Sequence, residues 1–234
     1  MTTGAPQRIG FLDTWRACAV LAMIAWHFVW DLSSAGILPE TTVQSMPAEL
    51  CRYAIAVSFI SVSGVCARLS RHVLRRGIIV SLAAVIVTAA SYIFGSPIRW
   101  GILHLLGASM LLYGAAKKHW EKIPCTHAVG AAITVFVLTF YLPLSVRVNI
   151  PFLFPLGLRT ADFFSADYYP LLPWTALFFA AASAGERLSD MPEETKYRQA
   201  PRALAWLSRR SLGIYLLHQP VLLCLTELLR RAIG

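Results

Sequence analysis

Near residues 12–32, 50–69, 74–95, 99–116, 127–145, 169–186 and 211–230 the chain runs through apolar stretches of roughly the length that an α-helix needs to cross the hydrocarbon of a bilayer. Inside lipid a backbone N–H or C=O without a partner is costly, so such stretches resolve into helices, which satisfy their own backbone. The composition agrees: 57% of the 234 residues are hydrophobic and 14% charged, too apolar for a soluble domain of this size. These features predict an all-α fold, a polytopic membrane helix bundle of about seven transmembrane helices. It is one domain over 1–234, with no internal repeat. No small-residue cleavage site follows the first stretch, which is therefore expected to stay as a span.

The formal net charge of +9 would point a soluble chain toward nucleic acid, but its distribution points to a membrane instead. Arg68, Arg71, Arg75 and Arg76 follow the second stretch, Lys117, Lys118 and Lys122 the fourth, and Arg187, Lys196, Arg198, Arg202, Arg209 and Arg210 separate the sixth from the seventh. The alternate loops hold few basic residues: none in 33–49, Arg99 before the fourth stretch, Arg147 and Arg159 before the sixth. Basic loops stay cytoplasmic, so the N-terminus is predicted to be cytoplasmic and, with seven crossings, the C-terminus external. The partner implied is membrane lipid, not nucleic acid. The five cysteines are scattered, odd in number and without paired spacing, which suggests neither a disulfide framework nor a metal site.

Ionisable side chains inside a bilayer cost at least about 2.5–3.5 kcal/mol near its centre and usually face the protein interior. Arg16 and His27 are eleven residues apart, which places them within roughly 20° on one helix face and about 16 Å apart along it. Asp31 lies one turn beyond His27 and Asp13 nearly one turn before Arg16, so the first helix carries a polar stripe along its length. His104, entering from the external side in "RWGILHLLG", is expected at the same depth as His27. In the last helix Ser211, Tyr215 and His218 share a face, with His218 expected nearer mid-membrane and Pro220 able to loosen the helix after it. The aromatic, proline-broken segment 146–168 is too short in its apolar part to cross and is expected to fold over the external mouth.

Four stretches, "FLDTWRACAVLAMIAWHFVWDL", "RWGILHLLG", "ADYYPLLPW" and "SLGIYLLHQPVL", resemble in order the bacterial relatives of heparan-alpha-glucosaminide N-acetyltransferase. The spacing from Arg16 to His27 is similar to the arginine-to-histidine motif of the wider membrane acyltransferase superfamily. The resemblance implies a multi-pass enzyme of a bacterial inner membrane. It would move an acetyl group from cytoplasmic acetyl-CoA to an amino sugar or glycan hydroxyl presented from the external side. A homodimer is the assembly suggested. There is a departure: the lysosomal member uses a histidine shortly after its first helix, whereas this chain has none between His27 and His72. Assigning that role to His27 therefore rests on the superfamily spacing.

On this reading His27 and His104 are the candidate bases, with Asp31 orienting His27 and steadying its cation. Arg16 lies toward the donor entrance, Tyr215 and His218 line the thioester channel, and Arg75, Arg76, Arg209 and Arg210 offer forks for the coenzyme A phosphates. Trp30, Arg99, Asp162 and Asp167 are the acceptor-side candidates. Each residue also has a plainer reading. His27 and His104 would be hydrogen-bonded core histidines and Asp31 an interfacial charge. His218 would bond a neighbouring carbonyl, Arg16 would reach to headgroups, the arginine groups would be topology signals, and Asp162 and Asp167 solvated loop carboxylates. At the level of function, a small transporter or proton-linked channel would use the same histidines as a relay, and a non-catalytic assembly subunit would not need the stripe.

The loop charges carry a direct expectation: a reporter fused at residue 1 is read in the cytoplasm and one fused at Gly234 outside. Finding both on one side rules out seven crossings.

Overall fold

The computed structural model describes residues 8–188, 190–196 and 198–233, and every regular element among them is helical. Both reporter positions, residue 1 and Gly234, lie outside the described residues. In chain order the helices are α1 (Gly10–Ser34), α2 (Thr41–Gln44), α3 (Met46–Leu69), α4 (Val73–Ile93), α5 (Ile102–Trp120), α6 (Cys125–Thr139), α7 (Leu142–Ser145), α8 (Leu171–Ala184), α9 (Glu193–Lys196), α10 (Arg202–Arg209) and α11 (Ser211–Ile233). Short 3-10 turns at Pro151–Leu156 and Gly185–Leu188 flank α8.

Among the described residues five segments are long and apolar enough to cross a membrane: α1, α3, α4, the stretch Cys125–Ser145 that includes α6 and α7, and α11. The two other expected spans coincide with α5 and α8. The latter has 14 residues, about 21 Å at 1.5 Å per residue, against a hydrocarbon core of about 30 Å. Its burial explains how so short an apolar helix is stable: Trp174, Ala176, Phe178 and Ala180–Ser183 are all enclosed by protein. The 19-residue α5 ends on Lys117, Lys118 and His119, which shortens its apolar part.

The chain divides into two compact units, residues 1–59 with 191–234, and residues 60–190. In the first, α1 packs against α10 and α11. Gly10 starts α1 so close to the backbone of Arg198–Ala200 that a Cβ there would collide with it. One turn on, the buried Asp13 accepts a 2.7 Å hydrogen bond from the buried Ser208 of α10 and pairs with Arg8 at 2.6 Å. The helix α10 joins strongly segregated faces, carrying Ser208 inward while Arg202, Trp206, Arg209 and Arg210 are exposed. In the sequence this segment reads only as a basic connection, because an eight-residue amphipathic helix is far shorter than a membrane span.

In the second unit α5 packs against α4 and α8, and α8 against α6. Small residues set the spacing. A Cβ on Gly107 would lie 2.9 Å from the backbone nitrogen of Ser81, and one on Gly64 would lie 3.1 Å from that of Ala182. Without a hydrophobic effect between helices in lipid, such close approach is what gains dispersion energy. At one end Lys117 closes the α3 terminus, its ammonium donating to the carbonyls of Arg68 at 2.9 Å and Ser70 at 2.8 Å. Arg68, Glu121 and Glu186 complete that ion cluster, and Tyr113 donates to Glu121 at 3.0 Å.

Removing a partner from a buried charge-assisted hydrogen bond costs about 1.5–3 kcal/mol. Asp13→Ala is therefore expected to lower the melting temperature in detergent more than Ser208→Ala does. The double variant should fall short of the sum, because the two substitutions remove one shared bond. Strict additivity would show that Asp13 is held by Arg8 alone.

Candidate active site

Within the first unit, α1 and α11 bring together four polar side chains. His27 and His218 stand with ring centroids 5.0 Å apart and planes at 58°. Beside them the buried carboxylate of Asp31 accepts from the Gln219 side-chain nitrogen with both oxygens, at 2.9 and 3.0 Å. That pairing fixes the amide's orientation, since its nitrogen must face the carboxylate, and it leaves Gln219 Oε1 buried with no hydrogen-bond partner among the described residues. His218 Nδ1 lies 2.5 Å from the backbone oxygen of Tyr215, and its Nε2 is likewise buried without a partner. The Tyr215 ring flanks His218 at 5.3 Å.

Two details differ from expectation. His218 was expected nearer mid-membrane than His27, yet the rings are neighbours. The hydrogen bonds from Gln219 to Asp31 hold this part of α11 against the far part of α1, which brings His218 level with His27. Asp31 was expected to orient His27, but the hydrogen bonds of its carboxylate go to Gln219. The sequence reading missed Gln219, although an amide one residue from a membrane histidine was a signal open to view. Arg16 is half-buried on α1, and its charge acts on Asp13. Trp30 is exposed, 6.3 Å from the ring of Trp26.

His104 belongs to the second unit, and both its ring nitrogens are committed there. The backbone N–H of Gly101 donates to Nδ1 at 3.2 Å, which closes the first turn of α5. Nε2 lies 3.2 Å from the Thr88 hydroxyl, which itself donates to the Ile98 carbonyl at 2.8 Å. With Nδ1 accepting and the Thr88 proton spent on Ile98, a neutral ring must carry its proton on Nε2 and give it to Thr88. The arrangement holds the entry to α5 and leaves neither nitrogen over.

Asp167 serves the same helix end, accepting from the Ile102 backbone N–H at 3.0 Å. Gly101 allows this, because a Cβ there would sit 2.5 Å from that carboxylate. Around it the segment 146–168 packs on its own unit: Tyr168 donates to the Phe154 carbonyl at 2.7 Å, and Phe154 stacks on Phe163 at 5.1 Å. Burial pushes the Tyr168 phenol up to about 12, against the opposing pull of Arg159 and Arg147. Arg99 is exposed, with its guanidinium 5.7 Å from the Phe163 ring. Asp162 is also exposed, and a hydrogen bond from Thr160 holds its carboxyl below the usual range.

The arginine pairs proposed for phosphates lie in different units. Arg75 and Arg76 are exposed at the start of α4 in the second. Arg209 and Arg210 are exposed at the end of α10 in the first, where Arg210 lies 4.6 Å over the Trp206 ring. Each pair is reachable by an anion, as a phosphate site requires.

Comparison with curated proteins and with solved structures returns no match. A protein-family model described as "Heparan-alpha-glucosaminide N-acetyltransferase, catalytic" matches residues 8–220, a span that runs from Arg8 through both histidines of the α1–α11 cluster. By that match, over most of its length, the chain belongs to the heparan-alpha-glucosaminide N-acetyltransferase catalytic family.

Proposed function

We propose that the protein moves an acetyl group from cytoplasmic acetyl-CoA to an amino-sugar or glycan-hydroxyl acceptor presented from the external side of a bacterial inner membrane. Its helices cross seven times, with α5 and α8 as the two spans sheltered by protein and the N-terminus in the cytoplasm. The observation that carries the reading is the His27–His218 pair on α1 and α11, inside the matched family span. Acyl transfer to an amine or hydroxyl needs a group to take the acceptor's proton and a donor to the carbonyl oxygen as charge develops there; two adjacent imidazoles supply both.

The other candidate residues take the following roles. Arg16, on the stripe toward the first turn of α1, draws the donor in. One of the exposed pairs, Arg75 with Arg76 or Arg209 with Arg210, anchors its phosphates through bidentate contacts. Trp30, Arg99 and Asp162, all exposed, belong to the acceptor side. Asp167 and His104 shape the entry to α5 rather than the chemistry.

Acetyl-CoA is expected to raise the melting temperature of the purified protein, since a ligand selective for the folded state stabilises it by about 2.7 kcal/mol at a hundredfold excess over Kd. Replacing both arginines of the phosphate-binding pair by alanine should shrink that shift, and replacing the other pair should not. No shift in the wild-type protein overturns the donor assignment.

Coenzyme A release in the presence of saturating acetyl-CoA and glucosamine separates the roles. His27→Ala should keep the donor-induced shift and lower kcat by about 10²–10⁴-fold. Arg16→Ala should raise the donor concentration needed more than it lowers kcat. His104→Ala should lower thermal stability while leaving kcat within about tenfold of wild type. Unimpaired transfer by His27→Ala would place the chemistry elsewhere.

A further inference from the structure

Two hydrogen-bond acceptors lie buried and without a partner among the described residues, side by side in the sequence of α11: His218 Nε2 and Gln219 Oε1. Leaving a buried polar atom unsatisfied costs about 1–3 kcal/mol, and such atoms concentrate where a protein has chemistry to perform. Their neighbours explain why they are acceptors. The Tyr215 carbonyl can only accept, so His218 Nδ1 must carry the ring's proton. A second proton would make a cation inside the membrane, where charge is costly, so the neutral ring keeps its lone pair on Nε2. The Asp31 carboxylate likewise claims the Gln219 amide nitrogen and leaves that side chain's oxygen over.

His27 offers no such fixed arrangement, since among the described residues no hydrogen bond of its ring sets its tautomer. Its ring lies 5.0 Å from that of His218, within reach of the same small group.

From the proposed acetyl transfer, on which this inference rests, we infer that His218 is the base, taking the acceptor's proton on Nε2, while His27 donates to the acetyl carbonyl oxygen. As the acceptor nitrogen or oxygen bonds to the acetyl carbon, the thioester C–S bond breaks and its electron pair leaves on sulfur. The acceptor's proton passes to His218 Nε2 and from there to the thiolate, so the products are the acetylated acceptor and coenzyme A thiol. Tyr215 acts through its backbone carbonyl alone, holding the tautomer.

The decisive variant is His218→Asn. Its side-chain amide can still donate to the Tyr215 carbonyl, so a merely structural role survives, but it has no basic nitrogen. Measured with acetyl-CoA and glucosamine, it should keep the donor-induced thermal shift and lose kcat by about 10²–10⁴-fold. His218→Gln, also non-basic, serves if the first variant does not fold. Either folded variant turning over within about threefold of wild type overturns the assignment. A structure of the wild-type protein with coenzyme A and glucosamine gives an independent check. The amine should lie within hydrogen-bond distance of His218 Nε2, and an amine seated on His27 instead overturns it. Wild-type protein that neither binds acetyl-CoA nor acetylates glucosamine would instead sink the proposed function, a result distinct from an active wild type with an equally active His218→Asn.

Discussion

The contact between the Asp31 carboxylate and the Gln219 amide is the constraint on which the candidate site depends. A carboxylate buried on a membrane helix needs donors, and Gln219 supplies them to both oxygens from α11. With Asp13 and Ser208 holding α10 near the start of α1, α1 is joined by polar bonds to α10 and to α11 at positions 18 residues apart along it. The rotation of α11 that presents Gln219 to Asp31 also sets His218, one residue earlier, beside His27. Apolar packing alone would leave that rotation weakly specified, because one apolar face of a helix fits much like another. Here the cost of an unpaired carboxylate selects one.

The second unit shows polar groups used differently. His104, Thr88, Gly101 and Asp167 form a closed set in which each nitrogen, hydroxyl or carboxylate has a partner at the first turn of α5. Such a set fixes where a helix begins and how the following aromatic segment seats upon it. Histidine thus has two physically distinct forms in one chain. Where both nitrogens are engaged the ring is architecture; where one is held and the other left over, it is available for proton transfer.

Under the proposed function the α1–α11 cluster is the reaction centre. A histidine pair with one lone pair fixed by a backbone carbonyl is suited to group transfer between a thioester and a protic nucleophile. A relay for protons across the membrane would need a continuing chain of such groups. On α11 the Tyr215 carbonyl ends the run on one side of His218.

The sequence alone was enough to determine the all-helical class, five of the seven expected stretches as long apolar helices and the position of the polar stripe on α1. These follow from hydropathy and from the fixed 100° advance per residue, both local properties. It also carried the resemblance that the family match bears out. What it left undecided were facts of partnership. His27 and His104 read alike as membrane histidines, and Asp31 and Asp167 as carboxylates near a helix end. Only the tertiary structure separated them, by giving His104 two partners and Asp167 the N–H of Ile102, while turning Asp31 toward Gln219. The amphipathic α10 was hidden by its length, and Gln219 by the absence of charge. A hydrogen-bond partner 188 residues away leaves no mark on local periodicity, and the rotation of one helix against another is decided only when both are packed.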